Sequence, residues 1–247
     1  MPKRFTGGLF ETMKLHLGCG HNYIEGWVNI EGPRDELCYN DIKADIHARI
    51  EDLDYPDNSV DEILMNAVFE HFPRHIAIMQ LRKFYNWLKE GGKITIVVPD
   101  FFATVNKLKK SKSPEEQQFW WRHIFGPQDT ITFGTHYDGF DEKKLKYIFS
   151  IVGFAKFICI KEGKWPNLRF TAIKKKPFLS ENDACQNIIN YMALYEAREE
   201  AGVAFAEWMK AMGLNIEQKP LTLKFKTQNQ SLLNKIKCKI VRKVKNV

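Results

Sequence analysis

Residues 14–20 read Lys-Leu-His-Leu-Gly-Cys-Gly: a short strand-like run from Met13 to Leu17, broken by two glycines one position apart. A strand that ends on Gly-x-Gly brings backbone close to a ligand at the carboxyl edge of a sheet. Outward from it, Trp27-Val28-Asn29-Ile30 is a second run and closes on Glu31, and Val60–Met65 has the pattern of a buried strand. Ile76–Leu88 carries apolar residues near helical period, at Ile76, Met79, Leu81, Phe84 and Leu88, and Gly91-Gly92 is expected to end that helix. Lys93–Val98 (KITIVV) is β-branched and closed by Pro99, which reads as a central strand. Phe101–Phe133 reads as helix plus long loop, and Asp141–Val152 as a helix with Asp141 and Glu142 at its start. Phe154–Ile160 and Arg169–Ile173 are two strands expected to pair antiparallel, and Glu181–Met212 is polar and helical. Strands alternating with helices predict an α/β fold, a mostly parallel Rossmann-like sheet with an antiparallel terminal strand and a C-terminal helical appendage. Ligands bind beyond the carboxyl ends of such strands, so the residues after Leu17, Ile30, Met65 and Val98 are the ones to inspect.

Composition narrows the class. The 247 residues are 44% hydrophobic and 27% charged, which excludes disordered, collagenous and coiled-coil chains. No apolar run approaches the roughly 20 residues of a membrane span. Met1–Phe10 lacks the apolar centre of a signal peptide, so a cytoplasmic location is expected. The five cysteines, Cys19, Cys38, Cys159, Cys185 and Cys238, are scattered and read as reduced thiols. Charge is uneven: Leu214–Val247 holds nine Lys or Arg against one acid, Glu217, a balance of +8 within a total of +7, which leaves −1 for the rest. Residues 1–178 are read as the ligand-binding domain, 179–213 as a helical extension and 214–247 as a basic tail. In the tail Leu233, Ile236, Ile240, Val244 and Val247 fall at spacings of three and four among lysines. That pattern suits an anionic membrane at the inner face, a docked helix stripe or a solvated terminus.

Glu31 follows Gly20 by 11 residues and no third glycine completes a dinucleotide fingerprint, so a nicotinamide-dependent dehydrogenase is disfavoured. No phosphate-binding G-x-x-x-x-G-K-[ST] loop occurs either. Together, LHLGCG (15–20), GWVNIE (26–31), ADIHARIEDLDYPDNSVDEILMNAVFEHF (44–72) and LKEGGKITIVVPDF (88–101) resemble class I S-adenosylmethionine-dependent methyltransferases. Within these, the chain is similar to a small bacterial group associated with capsule and lipopolysaccharide biosynthesis, in which a short loop replaces the first helix. The resemblance spans Lys14–Lys174. It implies S-adenosylmethionine as cofactor and S-adenosylhomocysteine as product. Gly18, Cys19 and Gly20 would line the methionine and ribose part, Glu31 would hold the ribose hydroxyls, and Asp45 and Ile46 would meet the adenine edge. Asn66, Ala67 and Val68 would lie under the sulfonium, and Glu70 and His71 match a Leu-Glu-His element in which Phe69 replaces the leucine. A helix-capping arrangement is the alternative for Glu70 and His71.

Phe125-Gly126-Pro127-Gln128 and Gly134–Asp141 resemble segments that lie over the acceptor in that group. A sugar hydroxyl is a poor nucleophile at neutral pH, and a positioned base improves in-line attack on the methyl group. His136 is the first expected base and Asp100 the second, with a direct role for His71 also weighed. Tyr137, Asp138, Trp121 and Gln128 are the expected acceptor contacts. His71 and His75 stand four apart, but Phe72 and Pro73 break the zinc-binding H-E-x-x-H pattern, so no metal ligand set is assigned. The expected reaction is methyl transfer to an oxygen of a sugar or sugar-attached group. A nucleic-acid methyltransferase would explain the basic tail but not the near-neutral remainder, so nucleic acid is not an expected partner. A non-catalytic cofactor-binding subunit is the other rival, and no oligomeric state is assigned.

Overall fold

The computed structural model describes residues 12–37, 41–128, 133–162, 165–195, 207 and 209–213. The basic tail lies outside these residues, as do residues 196–206 and 208 of the helical extension. Seven strands form one sheet: β1 (Lys14–Leu17), β2 (Val28–Glu31), β3 (Ile46–His47), β4 (Val60–Asn66), β5 (Leu88–Pro99), β6 (Lys156–Glu162) and β7 (Asn167–Ile173). Their order is β3-β2-β1-β4-β5-β7-β6. The first five are parallel, and β7 runs antiparallel to both β5 and β6, as the two late apolar runs predict. Central position explains composition: Leu15, His16 and Leu17 of β1 are all buried, as are Ile94, Ile96, Val97 and Val98 of β5.

Five helices are described: α1 (Arg74–Trp87), α2 (Phe101–Lys110), α3 (Pro114–Phe125), α4 (Glu142–Ile151) and α5 (Glu181–Ala193). The stretch expected as one helix and a long loop, 101–133, holds both α2 and α3. Each is started by a local cap: Asp100 accepts from the Ala103 amide, and Ser113 from the Glu116 amide. Asp141 caps α4 in the same way, accepting from Lys144 at 2.7 Å. The other boundary differs from expectation. Helix α1 stops at Trp87, and Gly91-Gly92 belong to β5. The Gly91 amide donates to the Lys174 carbonyl and the Lys174 amide to the Gly92 carbonyl, so the glycine pair is held by β7's exit rather than used as a helix cap.

One aromatic cluster anchors the loops that matter for function. Phe149 of α4 packs on Phe69, Phe154 of the α4–β6 turn and Phe170 of β7, with ring centroids 5.1–6.2 Å apart, and Phe69 packs on Phe140 at 5.3 Å. Phe69 opens the 3-10 turn Phe69–His71, and Phe140 closes the loop carrying His136–Gly139. Core packing therefore fixes both segments relative to the sheet.

The opposite end of the sheet is tied by a charge. Lys174 is only 6% exposed, and its ammonium donates to the carbonyl of Leu88 (2.6 Å) and to Asn58 Oδ1 (3.0 Å). Removing it leaves buried acceptors unpaired, at a cost of about 2–3 kcal/mol for a charged donor. Lys174→Ala should therefore lower the unfolding free energy by that much, read as a lower urea midpoint with no change in the slope, whereas an unchanged midpoint would show that water replaces the ammonium.

Candidate cofactor and acceptor site

The carboxyl ends of β1, β2 and β4 open into a cleft of about 600 Å³, within the range of small-ligand sites. Gly18, Gly20, Glu31, Gly32, Ala67, Val68, His71 and Tyr137 line it. The turn after β1 is built by backbone. Gly18 and Cys19 both donate their amides to the Ile30 carbonyl, at 2.9 and 3.1 Å. Gly18 sits at φ +65°, and a Cβ there would lie 2.4 Å from Val68 Cγ2, so both conformation and space require glycine. The Glu31 carboxylate accepts from the Gly20 amide at 2.6 Å and from the Gly32 amide at 2.9 Å. These bonds hold an anionic acceptor on the cleft wall, where paired hydroxyls can donate to its remaining lone pairs.

The expected cofactor residues divide. Gly18, Gly20, Glu31, Ala67 and Val68 meet in the cleft. Cys19 is buried beneath the turn, its thiol pushed up to about 11 by burial and by the Glu31 charge. Asn66 is exposed at the end of β4 and Ile46 is a core residue, and neither lines the cleft. Asp45 is engaged elsewhere: its carboxylate accepts from the Asn29 amide at 2.7 Å and from the Tyr23 hydroxyl at 2.9 Å. The wall expected from Asp45 and Ile46 is instead made by Ala48, Arg49, Ile50 and Glu51, around the 3-10 turn Ile50–Asp52. No periodicity marks these four residues, because β3 before them is only two residues long.

The expected acceptor groups also divide. His71 and Tyr137 line the cleft, and the Tyr137 amide donates to the Glu70 carbonyl at 2.9 Å, joining their two loops. His136 does not line it. Its ring lies behind His71, centroids 4.8 Å apart at 75°. Burial, and then the neighbouring His71, push it down to about 4, so it is neutral at pH 7. Asp138 is enclosed by Lys144 at 2.5 Å and Arg74 at 3.3 Å, an ion-pair role that leaves it outside the cleft. Asp100 is spent as the cap of α2 and borders a separate hollow beside Lys143 and Lys161. Trp121 stacks on Phe125 at the surface, and Gln128 is exposed; neither reaches the cleft.

The Phe125–Gln128 segment has a backbone role. The Gln128 amide donates to the Gly134 carbonyl at 2.7 Å and the His136 amide to the Phe125 carbonyl at 3.1 Å. A Cβ on Gly126 would lie 2.3 Å from the Gly134 carbonyl oxygen, so this glycine permits the two strands of loop to touch.

Glu70 does not line the cleft. It is 1% exposed, and burial pushes its carboxyl up to about 8. Neither its Oε2 nor His136 Nδ1 has a hydrogen-bond partner among the described residues. His71 donates Nδ1–H to the Thr135 carbonyl at 3.1 Å. One nitrogen of each histidine and one Glu70 oxygen lie within 4.8 Å of one another. His75, the expected neighbour of His71, is not in this group.

Residues 15–96, 82 of the 247, match the family model described as a methyltransferase domain. No curated protein matches the chain. Among solved structures it is similar to a protein from Bordetella parapertussis (12% identity, 66% of this chain and 62% of that one, TM-score 0.45). The chain thus spans about three fifths of that protein's length. It is also similar to a SAM-dependent methyltransferase from Thermotoga maritima (15% identity, 68% and 84%, TM-score 0.46). A third is a SAM-dependent methyltransferase from Archaeoglobus fulgidus (15% identity, 66% and 86%, TM-score 0.45).

The Gly18 geometry is testable. Gly18→Ala forces an L-residue into the left-handed region and drives a methyl group into Val68, together costing about 1–2 kcal/mol or more. Its thermal midpoint should fall by several degrees and its affinity for S-adenosylhomocysteine at least tenfold by calorimetry. Wild-type affinity would show that the turn does not contact the ligand.

Proposed function

We propose that this chain, a class I S-adenosylmethionine-dependent methyltransferase by its sheet and its matching domain, methylates an oxygen of a sugar or sugar-attached group used in surface polysaccharide assembly. The cofactor, S-adenosylmethionine, supplies a methyl group on a cationic sulfonium. The observation that carries the proposal is the single cleft lined at once by the amide-held Glu31 carboxylate, the Gly18–Gly20 turn, His71 and Tyr137. A carboxylate with free lone pairs suits a ribose diol, and a wall with carboxylate and backbone oxygens suits a cation better than a phosphate cradle would.

The acceptor is read from the other wall. A hydroxyl must lose its proton as it attacks, and His71 is the imidazole that reaches the cleft. Its Nδ1–H is held by Thr135, which directs Nε2 as the accepting nitrogen. Base assistance is therefore assigned to His71, with His136 behind it. Tyr137, 48% exposed on the same wall, is placed to stack on or hydrogen-bond a sugar. The glycan context is supported by the sequence resemblance. Membrane contact is supported only by the charge of residues 214–247. No helix among the described residues is long and apolar enough to cross a membrane.

Calorimetric titration with S-adenosylhomocysteine tests the cofactor half. Micromolar binding to the wild type, weakened at least tenfold by Glu31→Ala, is expected; binding indifferent to that change would sink the assignment of Glu31. The acceptor half is tested with sugar nucleotides and glycan fragments as methyl acceptors. His71→Ala should lower turnover at least a hundredfold, the scale of a lost base, while cofactor affinity changes less than threefold. Turnover on RNA but on no sugar would transfer the proposal to the nucleic-acid class.

A further inference from the structure

The wall behind the cleft has a feature that base assistance does not use. We propose that Glu70, His71 and His136 form a binding site for one divalent transition-metal ion of the zinc class, with its open coordination position toward the cleft.

The case starts from two orphaned atoms. Glu70 Oε2 and His136 Nδ1 are buried, lie in the same three-residue group and have no hydrogen-bond partner among the described residues. Buried polar atoms are almost always satisfied, and an unmatched pair in one place calls for a common partner. Hydrogen bonding between residues does not supply it, whereas a cation accepts lone pairs from both.

One nitrogen of each histidine and one Glu70 oxygen lie within 4.8 Å of one another, close enough for a single ion to reach all three. A metal-binding histidine usually donates its other ring N–H to a carbonyl or carboxylate, which fixes the ring and its tautomer. His71 does this through Nδ1 to Thr135, a bond that fixes the ring and turns Nε2 away from that carbonyl. The backbone carbonyls of Ile124 and His123 face the His136 ring, and its unpartnered Nδ1 is the nitrogen left over. Two imidazoles and one carboxylate are a ligand set for zinc or iron(II), not for magnesium or calcium, which prefer all-oxygen sites. Three protein ligands with one open position is the arrangement of a reactive rather than a purely structural ion. The ligands come from two segments that the Phe69–Phe140 contact holds together, so their convergence is imposed by the core.

The catalytic consequence rests on the methyltransferase reading, and it refines the role of His71, which acts on the hydroxyl through the ion. The acceptor hydroxyl coordinates at the open position, its O–H bond breaks, and the proton leaves to water. The oxygen then forms its bond to the methyl carbon as the carbon–sulfur bond breaks, the electron pair staying on sulfur and the metal keeping its charge state.

The experiment uses the full chain, stripped with chelator, dialysed and titrated with Co²⁺ while the visible d–d bands are recorded. Expected are one equivalent bound with the intensity of a four- or five-coordinate site, displacement by Zn²⁺, and affinity at least tenfold weaker in both Glu70→Gln and His136→Gln. His75→Gln, at the start of α1 and outside the group, should bind as the wild type does. Because Glu70→Gln removes a buried group, near-UV circular dichroism checks its fold; if it fails to fold, His136→Gln and Glu70→Asp decide the matter by the same titration. Absence of the Co²⁺ spectrum in the wild type, or binding that neither variant weakens, overturns the proposal. A protein that binds S-adenosylhomocysteine but not Co²⁺ loses only the metal site. One that binds Co²⁺ through these residues but not S-adenosylhomocysteine keeps the site and loses the methyltransferase reading.

Discussion

The Glu31 carboxylate is the joint on which one wall of the cleft depends. One oxygen takes the Gly20 amide and the other the Gly32 amide, so the turns leaving β1 and β2 are locked to each other through a single side chain. Bonds from backbone N–H to a carboxylate are stronger than neutral ones. Here they do two things together: they satisfy amides that a tight turn leaves without partners, and they fix the direction in which the charge faces the cleft. The Ile30 carbonyl completes the joint by accepting from both Gly18 and Cys19. A parallel sheet supplies adjacent strand ends, but it does not itself orient their loops; this cluster does.

The connection from β1 to β2 has only ten residues, Gly18–Trp27, and contains no helix to stiffen it. Asn29 does that work from inside β2. Its side-chain amide donates to the carbonyls of Ile24 and Trp27, and its Oδ1 accepts from the Ile24 amide and faces His16 Nδ1 at 3.2 Å. Its own backbone amide is taken by Asp45, which also accepts from Tyr23. A fully buried asparagine with all its capacity used is thus the substitute for a missing element. The same network explains why Asp45 does not line the cleft: its charge is consumed in holding the loop.

This division marks what was legible in the chain. Backbone-encoded features were readable, because Gly18 and Gly20 at a strand end and an acid closing the next strand constrain geometry locally. Six of the seven strands, including the antiparallel late pair, followed from the alternation of apolar runs; the two-residue β3 did not. Features decided by tertiary packing were not. Gly91-Gly92 carry the local signature of a helix end, yet strand pairing with β7 claims them. Ala48–Glu51 reach the cleft because the chain turns after a two-residue strand, which leaves no periodic trace. Of the histidines, the sequence ranks His136 first, and only the packing of Phe140 against Phe69 sets the His71 ring in front.

That packing also links stability to chemistry. The aromatic cluster around Phe149 is the centre of the core, and its outermost members, Phe69 and Phe140, are the residues that begin and end the two histidine-bearing loops. A hydrophobic core of this kind tolerates no extra polar group without compensation, and yet Glu70 is the next residue after Phe69, wholly enclosed. A buried carboxyl beside the half-buried His136 imidazole is held in place by the favourable burial of Phe69 and Phe140, each of which contributes several kcal/mol if fully enclosed. The fold therefore carries an internally costly polar group next in sequence to His71 of the cleft wall, and its cost is the reason to look there for function rather than at Asp138 or Asp100, whose carboxylates are bonded.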